Sequence, residues 1–328
     1  MFLKKLHPKD AHIAASAIVG ACRLGGWTHE LQPQLLHVLF KNLLDFECDF
    51  NTFPGSSMEA VGIVFKDHES RSEVIDLMLM VEALCAEIPE AVASSVSAYA
   101  SYLGVANERI HMLRDLAKHS IAKAQEDFYR NNYFSDKDLA IENFHALVKS
   151  YGLPAYVVGV KDDPKEILRW EALANLPEES LGKGLWNFYK KRGFAFPGTV
   201  GGVNSAVAHH DWIHILADYD SDGIGEIEVA AFSTMATNSD SPVMNFLGVL
   251  SIFQGGLLKS LVTSANPHLG HDLEVSNGME RVVNALQRGR ECSVDLIEGM
   301  NFFEYADHSL DALRLKWNIV PKASEFSA

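Results

Sequence analysis

The stretch AHHDWIHILADYDSDGIGEIEVAAF, Ala208 to Phe232, reads as one helix, a turn and the start of a second helix. His210 and His214 stand four residues apart, so on a helix both imidazoles leave the same face. Asp211 lies three residues before His214 and borders that face. Asp and Gly then crowd Asp218 to Gly225, the chemistry of a turn. Glu226 follows His214 after eleven intervening residues and opens the apolar stretch EIEVAAFSTMA. An antiparallel return across the turn brings the Glu226 carboxylate beside the histidines.

A calcium loop competes for the same residues. Counted from Asp220, DSDGIGEIEVAA has acids at positions one and three and Gly225 in the turn, but Ile224 and Ala231 occupy positions five and twelve. Counted from Asp218, position twelve is Val229. Neither register supplies the closing bidentate carboxylate that such a loop needs. Two imidazoles with carboxylates instead suit zinc or a first-row ion such as iron or manganese, with positions left open for a substrate. The bland alternative is a helix with two histidines on one face and an Asp bonded to a neighbouring amide, because short motifs recur by chance. The turn and Glu226 add weight to the metal reading. His209 is one residue from His210, hence about 100° round the helix, and is expected at the surface.

The 328 residues carry a formal charge of −15, which disfavours general binding to nucleic-acid phosphates. Four scattered cysteines, Cys22, Cys48, Cys85 and Cys292, form no C-x-x-C pair and fit a reducing compartment. Pro8 and Asp10 interrupt any signal-peptide core near the N-terminus. The most apolar stretch, VMNFLGVLSIFQGGLL from Val243 to Leu258, falls short of the roughly 20 residues of a spanning helix. It reads as a buried helix, or as one lining a lipid site or resting on a membrane, with Gly248, Gly255 and Gly256 leaving room for an apolar chain. The expected location is cytoplasmic, with peripheral membrane contact as a further expectation.

Helical periodicity dominates. Segments Ala11–Leu24, Glu30–Phe46, Glu73–Ile88, Ala91–Leu103 and Arg109–Asn132 read as amphipathic helices, with Thr28 and Ser135 as N-caps and only Tyr156–Val160 strand-like. Breakers cluster from Gly152 to Pro164. The expectation is an all-α protein of two helical domains, residues 1–152 and 153–328, acting as a homo-oligomer. Arg288 and Arg290 offer partners for a diphosphate or carboxylate, with surface ion pairs as the preferred alternative.

His-Asp-x-x-His, eleven residues and Glu resembles the signature of the coenzyme Q biosynthesis protein 4 family. LPEESLGKGLWNFYKKRGF, Leu176 to Phe194, is similar to an upstream helix of that family, and ALQRGRECSVDLIEGMNFFEYADHSLDALRLKWNIV is similar to its closing pattern. The resemblance implies a mostly helical metal protein with His210, Asp211, His214 and Glu226 as ligands and as catalytic residues. It implies a divalent metal, zinc foremost. It also implies an apolar prenylated aromatic or isoprenoid ligand, and other quinone-biosynthesis enzymes as partners. Two functions follow from it: a metal-dependent enzyme on a quinone-precursor ring, up to oxidative decarboxylation at ring carbon 1, or a lipid-binding scaffold with a structural metal. The first segment, with LMLMVEALCAEIPEAVASSVSAYASYLGV, resembles tellurite-resistance protein B-like (TerB-like) helical domains. Its turns LGGWTHE and CAEIPEA lack the acidic cluster of those domains, so the resemblance implies an accessory domain without a metal.

Overall fold

Apolar residues recur on several faces of the C-terminal stretches, and such helices bury themselves only among other helices. The computed structural model describes residues 3–85, 88–105, 110, 162–199, 202–203, 205, 208–239, 241–255 and 270–326. Among these residues the chain forms twelve α-helices and short 3-10 turns, with no strand or sheet. The protein is all-α, as its periodicity predicts. The expected helix at 109–132, the Ser135 cap, the strand-like 156–160 and residues 256–258 of the apolar stretch lie outside the described residues.

Five helices precede residue 105: α1 (Ala11–Cys22), α2 (Leu31–Leu44), α3 (Met58–Val64), α4 (His68–Ala83) and α5 (Glu90–Leu103). α1 packs against α3, α4 and α5. α4 begins before the periodic stretch at Glu73 because Asp67 caps it, accepting the Ser70 N–H at 2.7 Å. Thr28 does not cap α2. Its amide and that of His29 donate to the Gln32 side chain at 2.9 and 3.1 Å, and no side chain caps the helix.

Seven helices follow: α6 (Pro164–Glu171), α7 (Leu181–Arg192), α8 (His209–Ala217), α9 (Gly223–Met235), α10 (Ser241–Phe253), α11 (Gly278–Glu291) and α12 (Leu310–Lys316). Asp163 with Pro at the first position starts α6, and Ser180 starts α7, which ends at Gly193 in the left-handed region (φ 70°). α9 lies at the centre: every residue from Gly223 to Met235 is buried, with α8, α10 and α11 packed around it. Gly289 on α11 meets the Phe232 carbonyl of α9, and a Cβ there would overlap that oxygen and press on Met235 Cβ at 2.9 Å.

The helices on either side of residues 106–161 share one continuous cluster of buried apolar side chains. α4 packs on α10 and α2 on α11. Lys4 Nζ donates to the Thr237 carbonyl at 3.2 Å, and the Gln287 amide to that of Asn42 at 3.1 Å. Val243, Phe246, Leu250 and Ile252 are fully buried, so the described part of the apolar stretch is core. No helix among the described residues is long and apolar enough to cross a membrane.

The α9–α11 approach gives a test with a defined sign. At an exposed helical site Gly→Ala raises stability. Gly289→Ala should instead lower unfolding free energy by about 1–3 kcal/mol, the range for overpacking. The measurement is chemical denaturation. A variant at least as stable as the parent would mean that α9 and α11 separate without cost.

Candidate metal centre

α8 exists because Trp212, Ile213, Leu216 and Ala217 all bury. Asp218 ends it in the left-handed region, φ 60°. The acid-rich turn is then occupied by capping and pairing. Asp222 caps α9 by accepting the Gly225 N–H at 2.9 Å, and the Asp220 carboxylate pairs with Arg192. Gly223 and Gly225 both lack positive φ. They are needed for closeness: a Cβ would overlap the Asp272 carboxylate at Gly223 and the Asp220 carbonyl at Gly225. Val229 and Ala231, the twelfth positions of the two calcium registers, are buried within α9.

The turn returns the chain so that Glu226, in the first turn of α9, faces α8. Its Oε1 lies 3.2 Å from His214 Nε2 and its Oε2 3.7 Å from His210 Nε2. One ligand atom from each of His210, His214 and Glu226 lies within 4.8 Å of those of the other two. Asp211 stands beside this group and is not one of the three. Its Oδ1 is 3.3 Å from His210 Nε2, and its Oδ2 accepts the Tyr189 O–H at 2.5 Å. All four side chains are largely buried: His210 is 12% exposed, Asp211 2%, His214 0% and Glu226 7%.

Hydrogen-bond logic sets the His214 tautomer. Its Nδ1 lies 3.2 Å from the Tyr219 carbonyl, which can only accept, so Nδ1 carries the proton. In the neutral ring Nε2 then holds a lone pair. It is buried, makes no hydrogen bond, and faces a carboxylate oxygen at 3.2 Å. Two electron-rich atoms at that separation, away from water, repel unless a cation or a proton lies between them. Two imidazoles and a carboxylate fit a zinc-like or first-row ion, and a carbonyl behind the imidazole is the outer partner such ligands use.

An aromatic wall backs the site. The Phe188 ring centroid is 5.5 Å from that of His214, Tyr189 stacks on Phe196 at 5.2 Å, and Trp170 lies 5.6 Å from Tyr189. A cavity of about 610 Å³ reaches His214, with Phe188 and Ile215 beside the cations Arg192, Arg281, Arg314 and Lys322. Arg281 and Lys322 both pair with the buried Glu228, at 2.6 and 3.7 Å. Spacing within the metal motif gives no sign of Tyr189; the family-like LGKGLWNFYKKRGF stretch is the one signal that contains it.

Two side chains depart from expectation. His209 is half-buried rather than at the surface: its Nε2 meets the Leu296 carbonyl at 2.9 Å, and its ring lies 4.7 Å from Phe302. Arg288 forms no surface ion pair. It is buried and donates to the carbonyls of Val320 and Ala217, each at 2.8 Å, because α11 packs it against the end of α8. Arg290 is exposed and reaches the Leu43 carbonyl at 3.3 Å.

No protein-family model matches the chain, and no curated protein matches it significantly. Among solved structures, a candidate ubiquinone biosynthesis protein from Nostoc punctiforme aligns with 74% of this chain and 96% of its own, at 16% identity and a TM-score of 0.33. Likeness at that level lies below what marks a shared fold.

Asp272, packed against Gly223, supplies a pH-dependent marker of this region. Burial, then the neighbouring Asp222 charge, pushes its carboxyl up to about 7 from an ordinary 3.8. A raised carboxyl favours the protonated folded state. Its contribution is therefore full below about pH 4 and is lost as pH rises through about 7. Asp272→Asn should flatten that decline, adding up to about 4 kcal/mol at pH 8 relative to pH 4. Parallel unfolding curves for both proteins across that range would show that the carboxyl is already ionised in the folded state.

Proposed function

We propose that the chain is a divalent-metal protein that acts on an apolar, quinone-precursor-type aromatic ring. The observation that carries the metal reading is the buried His214 Nε2 facing Glu226 while Nδ1 is committed to the Tyr219 carbonyl. The ring class rests on the resemblance of the His-Asp-x-x-His…Glu motif and its flanks to the coenzyme Q biosynthesis protein 4 family. His210, His214 and Glu226 would hold the ion. When bound there, a divalent cation supplies Lewis acidity toward a ring hydroxyl or carboxylate.

The chain's own residues divide the remaining work. Asp211 stands beside the trio, hydrogen-bonded to Tyr189 and facing His210, and is the carboxylate placed to take a proton from a ring hydroxyl. Tyr189 occupies its Oδ2 and turns Oδ1 toward His210. Phe188 and Ile215 offer apolar contact in the cavity at His214, whose four cations are matched by Asp218, Asp220 and Asp222 in the same lining. Oxidative decarboxylation at ring carbon 1 would consume an oxidant such as dioxygen, either at a redox-active ion such as iron or manganese or directly on an activated ring, because zinc is redox-inert.

A second reading has its own support. The burial of all four side chains favours a structural metal in a lipid-binding scaffold that organises quinone-biosynthesis enzymes. Cobalt substitution separates the two. A phenolate that shifts the cobalt absorption bands binds at an open site, as the enzyme reading requires. Bands indifferent to phenolate, with isoprenoid lipid co-purifying by mass spectrometry, favour the scaffold.

Elemental analysis tests the ligand set. His214→Ala and Glu226→Gln should each remove one equivalent of bound metal per chain. Folded His214→Ala protein with its full metal content would sink the assignment.

A further inference from the structure

Away from this centre, two loops from opposite ends of the chain meet. His29 lies in the loop leading into α2, and His271 precedes, and Glu274 ends, the 3-10 turn Asp272–Glu274 before α11. One ligand atom from each of the three lies within 4.8 Å of those of the other two. The Glu274 N–H donates to the His271 carbonyl at 2.9 Å, which brings these two residues together. Their contact, His271 Nδ1 to Glu274 Oε1, measures 2.5 Å.

Each neutral imidazole has one unprotonated nitrogen, and that of His29 is engaged by a backbone amide. His271 Nδ1–H donates to Glu274, which leaves Nε2 unprotonated on a neutral ring. His29 Nδ1 accepts the Leu31 N–H at 3.2 Å, so that nitrogen is unprotonated too. Leu31 opens α2 and is buried, so an ion at His29 Nδ1 would displace this amide contact.

Both loops are pinned from the core by a buried glutamine. Gln32 accepts the amides of Thr28 and His29, and its own amide donates to the Val81 carbonyl at 2.9 Å. On the other side, the Gln254 carbonyl accepts the His271 N–H at 3.2 Å, and its side-chain oxygen accepts the Leu273 N–H at 2.9 Å. Each glutamine is 2% exposed. The second pin holds His271 in the left-handed region, φ 76°, which a residue with a Cβ seldom adopts. The donors themselves stay open to solvent, His271 at 51% and Glu274 at 43% exposure.

We propose that His29, His271 and Glu274 form a second divalent-metal site, selective for zinc or a neighbouring late first-row ion, that clasps the start of α2 to the turn before α11. Two imidazoles and one carboxylate favour such ions over calcium or magnesium, which take oxygen ligands. The exposure leaves room for water to complete the coordination. A protein of net charge −15 draws cations toward its surface. Because the ligands come from distant parts of the chain, the ion binds the folded state and stabilises the seam between α2 and α11.

The test is zinc stoichiometry and zinc-dependent melting of the full chain, with zinc as the probe. The parent should bind two equivalents, His29→Ala and His271→Ala one each, His214→Ala one, and the His214→Ala/His271→Ala pair none. In the His214→Ala background, zinc should raise the melting temperature, and adding His29→Ala should abolish the rise. Should the His214 variant fail to fold, the parent and the two clasp variants decide alone. Unchanged zinc content in both His29→Ala and His271→Ala would overturn the clasp. A parent with one equivalent that His271→Ala removes and His214→Ala keeps would uphold the clasp while refuting the buried centre.

Discussion

A helix buried at every residue carries two carboxylates, and the rest of the C-terminal architecture answers that constraint. Glu226 and Glu228 lie on α9, which is covered from Gly223 to Met235. Two residues apart on a helix means about 200° of rotation, so the two acids face opposite ways. A buried carboxylate costs several kcal/mol unless a cation or donors surround it. α11 brings Arg281 and the C-terminal tail brings Lys322 to Glu228. α8 brings two histidines to Glu226, whose facing nitrogens and oxygens are compatible with a cation or a proton between them.

The distances in this arrangement depend on missing side chains. Gly223 admits the Asp272 carboxylate, Gly225 admits the Asp220 carbonyl, and Gly289 lets α11 rest on the Phe232 carbonyl. Larger residues would force the turn between α8 and α9 outward and carry Glu226 away from the histidines. The aromatic wall of Trp170, Tyr189, Phe188 and Phe196 acts in the same direction from the other side. It excludes water and so strengthens each electrostatic contact within.

The N-terminal helices take part in this through packing. α4 covers α10, and α2 covers α11, which in turn abuts α9. Gln32 and Gln254 extend polar anchors from that shared core to two surface loops. Residues of the first segment therefore help set where α9 and α11 lie, although none of them reaches the buried histidines through a contact described above.

The sequence by itself determined the helical class, because apolar periodicity is a local signal, whereas the caps Asp67, Asp163 and Ser180 emerged only in the structure. It also determined that His210, His214 and Glu226 could converge, since helical spacing and a glycine-bearing turn are geometric facts of the chain. Tertiary structure decided the rest. Asp211 was drawn to Tyr189 by a partner on another helix, which no spacing reveals. Arg288 was buried against carbonyls of α8 and the C-terminal tail, and His209 against Phe302. His29 met His271 across the whole chain. Periodicity encodes which face of a helix is apolar, but the partner of a polar side chain depends on which element packs against that face.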